Sequence, residues 1–152
     1  MPTTKCGFND GPKGAGADLL STWGPTIFVN IGFDSAYRAG PKVVPVPGLR
    51  DVQALVDTGA SECCIDSLLA TQLNLPVVDR RKVSGAHGAQ EVNMHLAQVH
   101  VPTLSFTMYG VFAGVHLAAG GQVHRALIGR TFLRHFTMSY EGRTGTVTLS
   151  ND

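Results

Sequence analysis

The chain has 152 residues, 15% of them charged, with a formal net charge of +1; this fits one globular domain long enough to bury a core. The basic residues are scattered apart from Arg80-Arg81-Lys82, which reads as a solvated strand end, so no nucleic-acid partner is expected. No apolar run approaches the roughly 20 residues that span a bilayer, so no membrane partner is expected in the chain as given.

Residues 1–18 are rich in glycine, proline and small polar residues. They predict a flexible N-terminal tail without the apolar core of a secretory signal, ahead of one domain over residues 19–149. A soluble, cytoplasmic protein is expected, with excision from a larger precursor left open. Three cysteines, Cys6, Cys63 and Cys64, make a poor disulfide framework and fit a reducing compartment. Six histidines occur without H-E-x-x-H or C-x-x-C, so no metal is expected.

Residues 26–33 alternate Ile27, Val29, Ile31 and Phe33 on one side and predict a half-buried strand. Gly40, Pro41, Pro45, Pro47 and Gly48 make residues 35–49 a loop or edge excursion. A short apolar strand over residues 52–56 runs into Asp57-Thr58-Gly59-Ala60. Asp66 is placed to cap a short helix holding Leu68, Leu69 and Leu73, stopped by Asn74 and Pro76. A hairpin follows, with residues 80–84 rising, Gly85-Ala86-His87-Gly88 at the tip and residues 90–101 returning. Along the return strand the apolar set shifts from Val92, Met94 and Leu96 to Ala97, Val99 and Val101, which predicts a bulge.

Residues 104–108 and 111–117 predict two further strands. Ala126, Leu127 and Ile128 form a buried strand ending at Gly129. Residues 130–135 make a short helix with Phe132 and Leu133, and residues 136–140 and 144–149 flank a turn at Glu141-Gly142-Arg143. Many short strands, glycine-rich turns and two brief helices predict an all-β domain.

Asp57 closes an apolar strand and is followed by Thr58 and Gly59. Gly59 allows a close backbone approach and the Thr58 hydroxyl can lock the turn, so the carboxylate is held as a catalytic group must be. An Asx-turn between two elements is the alternative reading of the same residues. The run Ala54-Leu55-Val56-Asp57-Thr58-Gly59-Ala60-Ser61, then Ile65-Asp66 and a short helix, resembles the catalytic segment of retropepsin-like aspartic peptidases. The family's second hallmark, an apolar pair and glycine about seventy residues on, resembles Leu127-Ile128-Gly129-Arg130, and the glycine-bearing hairpin lies between them. The resemblance spans about residues 25–149.

The resemblance implies an acid-protease barrel of one lobe per chain, acting as an aspartic endopeptidase with no cofactor. One Asp-Thr-Gly per chain implies a homodimer in which Asp57 and its symmetry mate share a proton and activate water. Asp34-Ser35-Ala36 lacks the glycine and is rejected as a second copy. By resemblance, Thr58 bonds the partner's turn, Gly59 and Ala60 support the site, and Leu127, Ile128 and Gly129 pack beneath Asp57. Gly85, Ala86, His87 and Gly88 form a flap over an extended peptide or protein substrate. Strands around Ile31 and Ile65 suggest apolar pockets.

Several positions depart from the pattern. Ser61, with Glu62 beside it, stands where retroviral members commonly carry aspartate, so Arg130 pairs with Glu62 or with nothing. His87 is either an exposed turn residue or a substrate contact. One of Cys63 and Cys64 faces the core and the other the cleft or solvent. The alternative function is a dimeric peptide-binding module of the same fold with little or no proteolytic activity.

Overall fold

The alternation of β2 (Thr26–Gly32) sets the first wall of the core: Ile27, Val29 and Ile31 are buried while Phe28 between them is exposed. The computed structural model describes residues 2–85 and 88–151. β2 pairs antiparallel with β3 (Leu49–Val56), and β3 pairs parallel with β8 (Ala126–Ile128). β8 is antiparallel to β4 (Cys64–Asp66), which runs parallel to β7 (Phe106–Val115). β7 pairs with β6 (Gly88–Val101), and β6 returns to β2 through Asn30↔His100, Ile31↔Val99 and Gly32↔Gln98. Six strands thereby close into a barrel, which removes the open sheet edges that invite association. β5 (Val77–Gly85) extends off β6 as a hairpin. The fold is mostly β, a closed six-stranded barrel accompanied by a separate three-stranded sheet.

The helices are short. α2 (Ser67–Gln72) starts as expected at Asp66, whose carboxylate accepts from the Leu69 amide. α3 (Arg130–Leu133) buries Phe132 against Phe106 and Phe136, with ring centroids 5.3 and 4.8 Å away. Aromatic packing of this kind adds about 0.5–1.5 kcal/mol per pair to plain burial. No helix among the described residues is long and apolar enough to cross a membrane.

Residues 1–18 differ from the flexible tail that their composition suggests. β1 (Thr3–Lys5) pairs with β10 (Thr146–Ser150), which pairs with β9 (Thr137–Glu141) in a separate three-stranded sheet. Cys6 is buried, and α1 (Gly16–Trp23) buries Gly16 and Leu20. Close packing requires glycine at position 16: a Cβ on Gly16 would collide with the carbonyls of Phe8 and Thr144, and Gly145, at φ +79°, lies backbone to backbone against Gly16.

The bulge expected in β6 is absent from its pairing with β7, which runs unbroken from Met94↔Ala113 to Val101↔Phe106. The irregularity falls on β5, between Val77 and Asp79. The change of face has another cause: Val92 and Met94 cover a small cluster with Ala113 under the hairpin, while Ala97, Val99 and Val101 face the barrel core. A long strand can serve two cores on opposite faces because its side chains alternate. The two strands expected over residues 104–117 are one, β7, preceded by a 3-10 turn at Pro102–Leu104. The loop after β2 is held from within. Asp34 accepts from the Ala36 and Val46 amides, and Gln98 bonds both backbone groups of Asp34; Asp34 thus has a structural role.

Two consequences are measurable. Were residues 1–18 a free tail, Gly16→Ala would be neutral or slightly stabilising; the packing instead predicts a loss of about 1–3 kcal/mol, as overpacking gives, read from the urea midpoint. Buried His100 and His124 are each held by a threonine hydroxyl, at 2.8 and 2.7 Å, and burial lowers both their pKa values. A depressed folded pKa contributes stability above the unfolded value of about 6.5 that is lost as pH falls through the folded value. Unfolding free energy should therefore decline on acidification below about pH 6.5, and His124→Gln should flatten that decline in denaturation curves taken across pH.

Candidate active site

β3 delivers Asp57 to the end of the barrel, and β8 holds it there. The Asp57 amide donates to the Ile128 carbonyl at 2.9 Å, continuing the parallel Val56↔Ile128 register by one residue. The chain then turns: the Ala60 amide donates to the Asp57 carbonyl at 3.2 Å, and the Gly59 amide donates to Asp57 Oδ1 at 2.9 Å. The Asx-turn that local chemistry favours is thus present, and it pins one carboxylate oxygen. Oδ2 has no hydrogen-bond partner among the described residues, and Asp57 lines an open cleft of about 840 Å³.

The far side of the turn is fastened to α3. The Arg130 amide donates to the Ala60 carbonyl and the Thr131 amide to the Ser61 carbonyl, at 2.9 and 3.0 Å. Gly129 is buried between these contacts; a Cβ there would meet the Glu62 carbonyl and come within 2.8 Å of the Ala60 oxygen. Its amide donates to Cys63 Sγ at 3.3 Å. Arg130 takes neither course expected of it. Its Nη1 donates to the Thr58 carbonyl at 2.7 Å, bracing the turn from outside, and it makes no ion pair with Glu62. With Ser61 in place of an acid, the nearest strong acceptor for the guanidinium is a backbone oxygen.

The anticipated residues gather as follows. Asp57, Gly59, Ala60 and Leu127 line the cleft, Ile128 and Gly129 are buried beneath it, and Thr58 is exposed. Gly85 and Gly88 pair at the hairpin end, and Gly88 also lines the cleft. Ala86 and His87 lie outside the described residues. Cys63 is buried and Cys64 faces the cleft; burial pushes the Cys64 thiol up to about 11, helped by neighbouring Cys63, Asp57 and Glu62, which keeps it neutral. Ile31 and Ile65 do not form pockets, because both are wholly buried in the core. The apolar lining comes instead from Val83, Val115, Leu117 and Leu127.

The cleft's outer wall rests on a residue read from sequence only as a helix cap. Asp66 is completely buried, and besides Leu69 its carboxylate accepts from the amides of Leu117 and Ala118 at 3.1 Å, with Arg125 Nη2 at 3.6 Å. A buried carboxylate needs this degree of satisfaction, and in return it fixes the segment that walls the cleft. Beside it, Ser67 Oγ lies 2.9 Å from His116 Nδ1. Neither partnership could be read from the sequence, since the partners lie some fifty residues apart.

Residues 46–135 match the family model described as gag-polyprotein putative aspartyl protease, a span that contains both the turn at Asp57 and the strand at Leu127. Among solved structures, the EIAV protease complexed with the inhibitor HBY-793 is similar at 15% identity and a TM-score of 0.45, over 72% of this chain and 85% of that one. No curated protein matches.

The packing at Gly129 predicts that Gly129→Ala will push the turn off β8. Stability should fall by about 1–3 kcal/mol, as for other small-to-large changes in packed sites, and the amide resonances of Thr58, Gly59 and Ala60 should move; unchanged resonances would contradict the role given to this glycine.

Proposed function

The chain belongs to the gag-polyprotein aspartyl protease family, and from that premise we propose that it is an aspartic endopeptidase whose active site forms at a homodimer axis from Asp57 and its symmetry mate. One observation carries the reading: Asp57 is the only carboxylate among the described residues that line the cleft, and its own turn engages just one of its oxygens. Water activation by paired acids needs a second carboxyl, and a second copy of the same chain supplies one in a symmetric arrangement.

Two facing carboxyls ionise unequally, so the pair holds one proton. The ionised Asp57 removes a proton from water, whose oxygen attacks the scissile carbonyl carbon. The protonated partner gives its proton to the carbonyl oxygen, forming a neutral gem-diol. As the carbon–nitrogen bond breaks, the carboxyl that received the water proton passes it to the departing amine, and the other recovers a proton from the diol. No cofactor takes part in this scheme. Exposed Thr58 is available to reach the partner's turn, while Arg130 steadies the turn from its own side. An extended peptide would lie beneath the β5–β6 hairpin, whose Val83, Ser84 and Gln90 line the cleft. The family's description also favours service within a longer polyprotein.

Replacing Asp57 with Asn should lower peptide cleavage at mildly acidic pH by at least about a hundredfold, as loss of an acid–base group does. Mixed in equal amount with wild type and allowed to exchange, it should also remove about half of the activity per wild-type chain by random pairing. Cleavage that survives the substitution, or activity indifferent to the added variant, would sink the paired-acid reading. Peptide binding without cleavage in either form would favour a binding module.

A further inference from the structure

We infer that the cleft continues into a second, polar subsite that takes a carboxamide side chain of the substrate; this rests on the peptide-cleaving or peptide-binding use of the cleft proposed above. Gln90 and His116 line both the Asp57 cleft and an adjoining recess of about 150 Å³. At roughly 30 Å³ per water, that recess has room for about five waters or one mid-sized side chain.

The recess contains a built polar group. His95 is only 4% exposed, and its Nδ1 lies 3.1 Å from the Leu75 carbonyl oxygen. A carbonyl can only accept, so Nδ1–H donates and Nε2 is left without a partner among the described residues. That nitrogen is not sealed from solvent, and His95 lines the recess, so a group entering there can reach it. Gly114 lines the same recess, and a Cβ there would sit 3.0 Å from that Nε2. The bare glycine keeps the nitrogen from being covered.

His116 is held through Nδ1 by Ser67, which leaves its Nε2 as the second unengaged ring nitrogen. Arg80 and Glu91 also line the recess and neutralise each other across 3.2 Å. Hydrogen bonding, more than net charge, is therefore what this recess can read. A carboxamide offers both donors and an acceptor, so it can satisfy an imidazole nitrogen in either tautomer. The cleft would thus select an extended peptide with apolar residues near the scissile bond and a glutamine or asparagine where the chain passes Gln90 and His116.

The test uses Asp57→Asn protein, so that peptides are bound and not cut. The probes are capped ten-residue peptides with an apolar centre, in which Gln or Leu is placed at each outer position in turn. At one position Gln should bind about three- to tenfold tighter than Leu, the range expected for one or a few net hydrogen bonds. His116→Leu should bring that ratio towards one, and so should Gln90→Leu, which alters only an exposed strand position. A ratio near one at every position, a ratio unmoved by both variants, or no peptide binding to the folded protein would overturn the subsite. Wild-type cleavage of the same peptides tests the peptidase reading separately: cleavage without a Gln preference sinks the subsite alone, and a Gln preference without cleavage sinks the peptidase alone.

Discussion

Everything at the candidate site depends on β8 running between β3 and β4 with no side chain in the way at Gly129. Through that contact the turn at Asp57 is hydrogen-bonded on both flanks, to Ile128 before the bend and to Arg130 and Thr131 after it. Each backbone bond contributes only about 1 kcal/mol net. Their joint effect is geometric. A turn clamped at both ends of its bend has few conformations left, so its carboxylate keeps one orientation without its own packing. Preorganisation of this kind is what acid–base chemistry requires.

The rest of the cleft is held by buried polar groups, and the fold satisfies them mostly with backbone. Asp66 ties α2 to the segment around Leu117 through three amides, and Gln98 ties β6 to the loop at Asp34. Desolvated polar groups are costly unless paired, so these contacts are specific as well as stabilising: another register would leave a buried carboxylate or carboxamide unsatisfied. Buried His100 and His124 pull the other way. They favour the fold while neutral, so their contribution to stability declines on acidification.

Family membership and geometry bear on different questions. The matched span covers the two segments that meet at the turn. The geometry adds what a family model does not describe: Arg130 turned to the Thr58 carbonyl, a neutral thiol at Cys64 in the cleft wall, and a polar recess beyond Gln90. These features distinguish this cleft from a plain apolar groove.

By itself the sequence determined the local facts: the alternation that buries Ile27, Val29 and Ile31, the cap at Asp66, the hairpin ending in Gly85 and Gly88, and the apolar strand leading into Asp57. Each depends on neighbours within a few residues, where periodicity and turn chemistry act directly. Only the tertiary structure decided that Gly16 is a packing contact, that β6 serves two cores without a bulge, and that Asp66 binds a wall fifty residues away. It also sealed Ile65 in the core, away from the cleft, and gave Arg130 a backbone acceptor. The physical reason is the same in every case. A glycine, a buried carboxylate or a guanidinium has several acceptable surroundings, and the choice among them is made by segments distant in the chain and close in space.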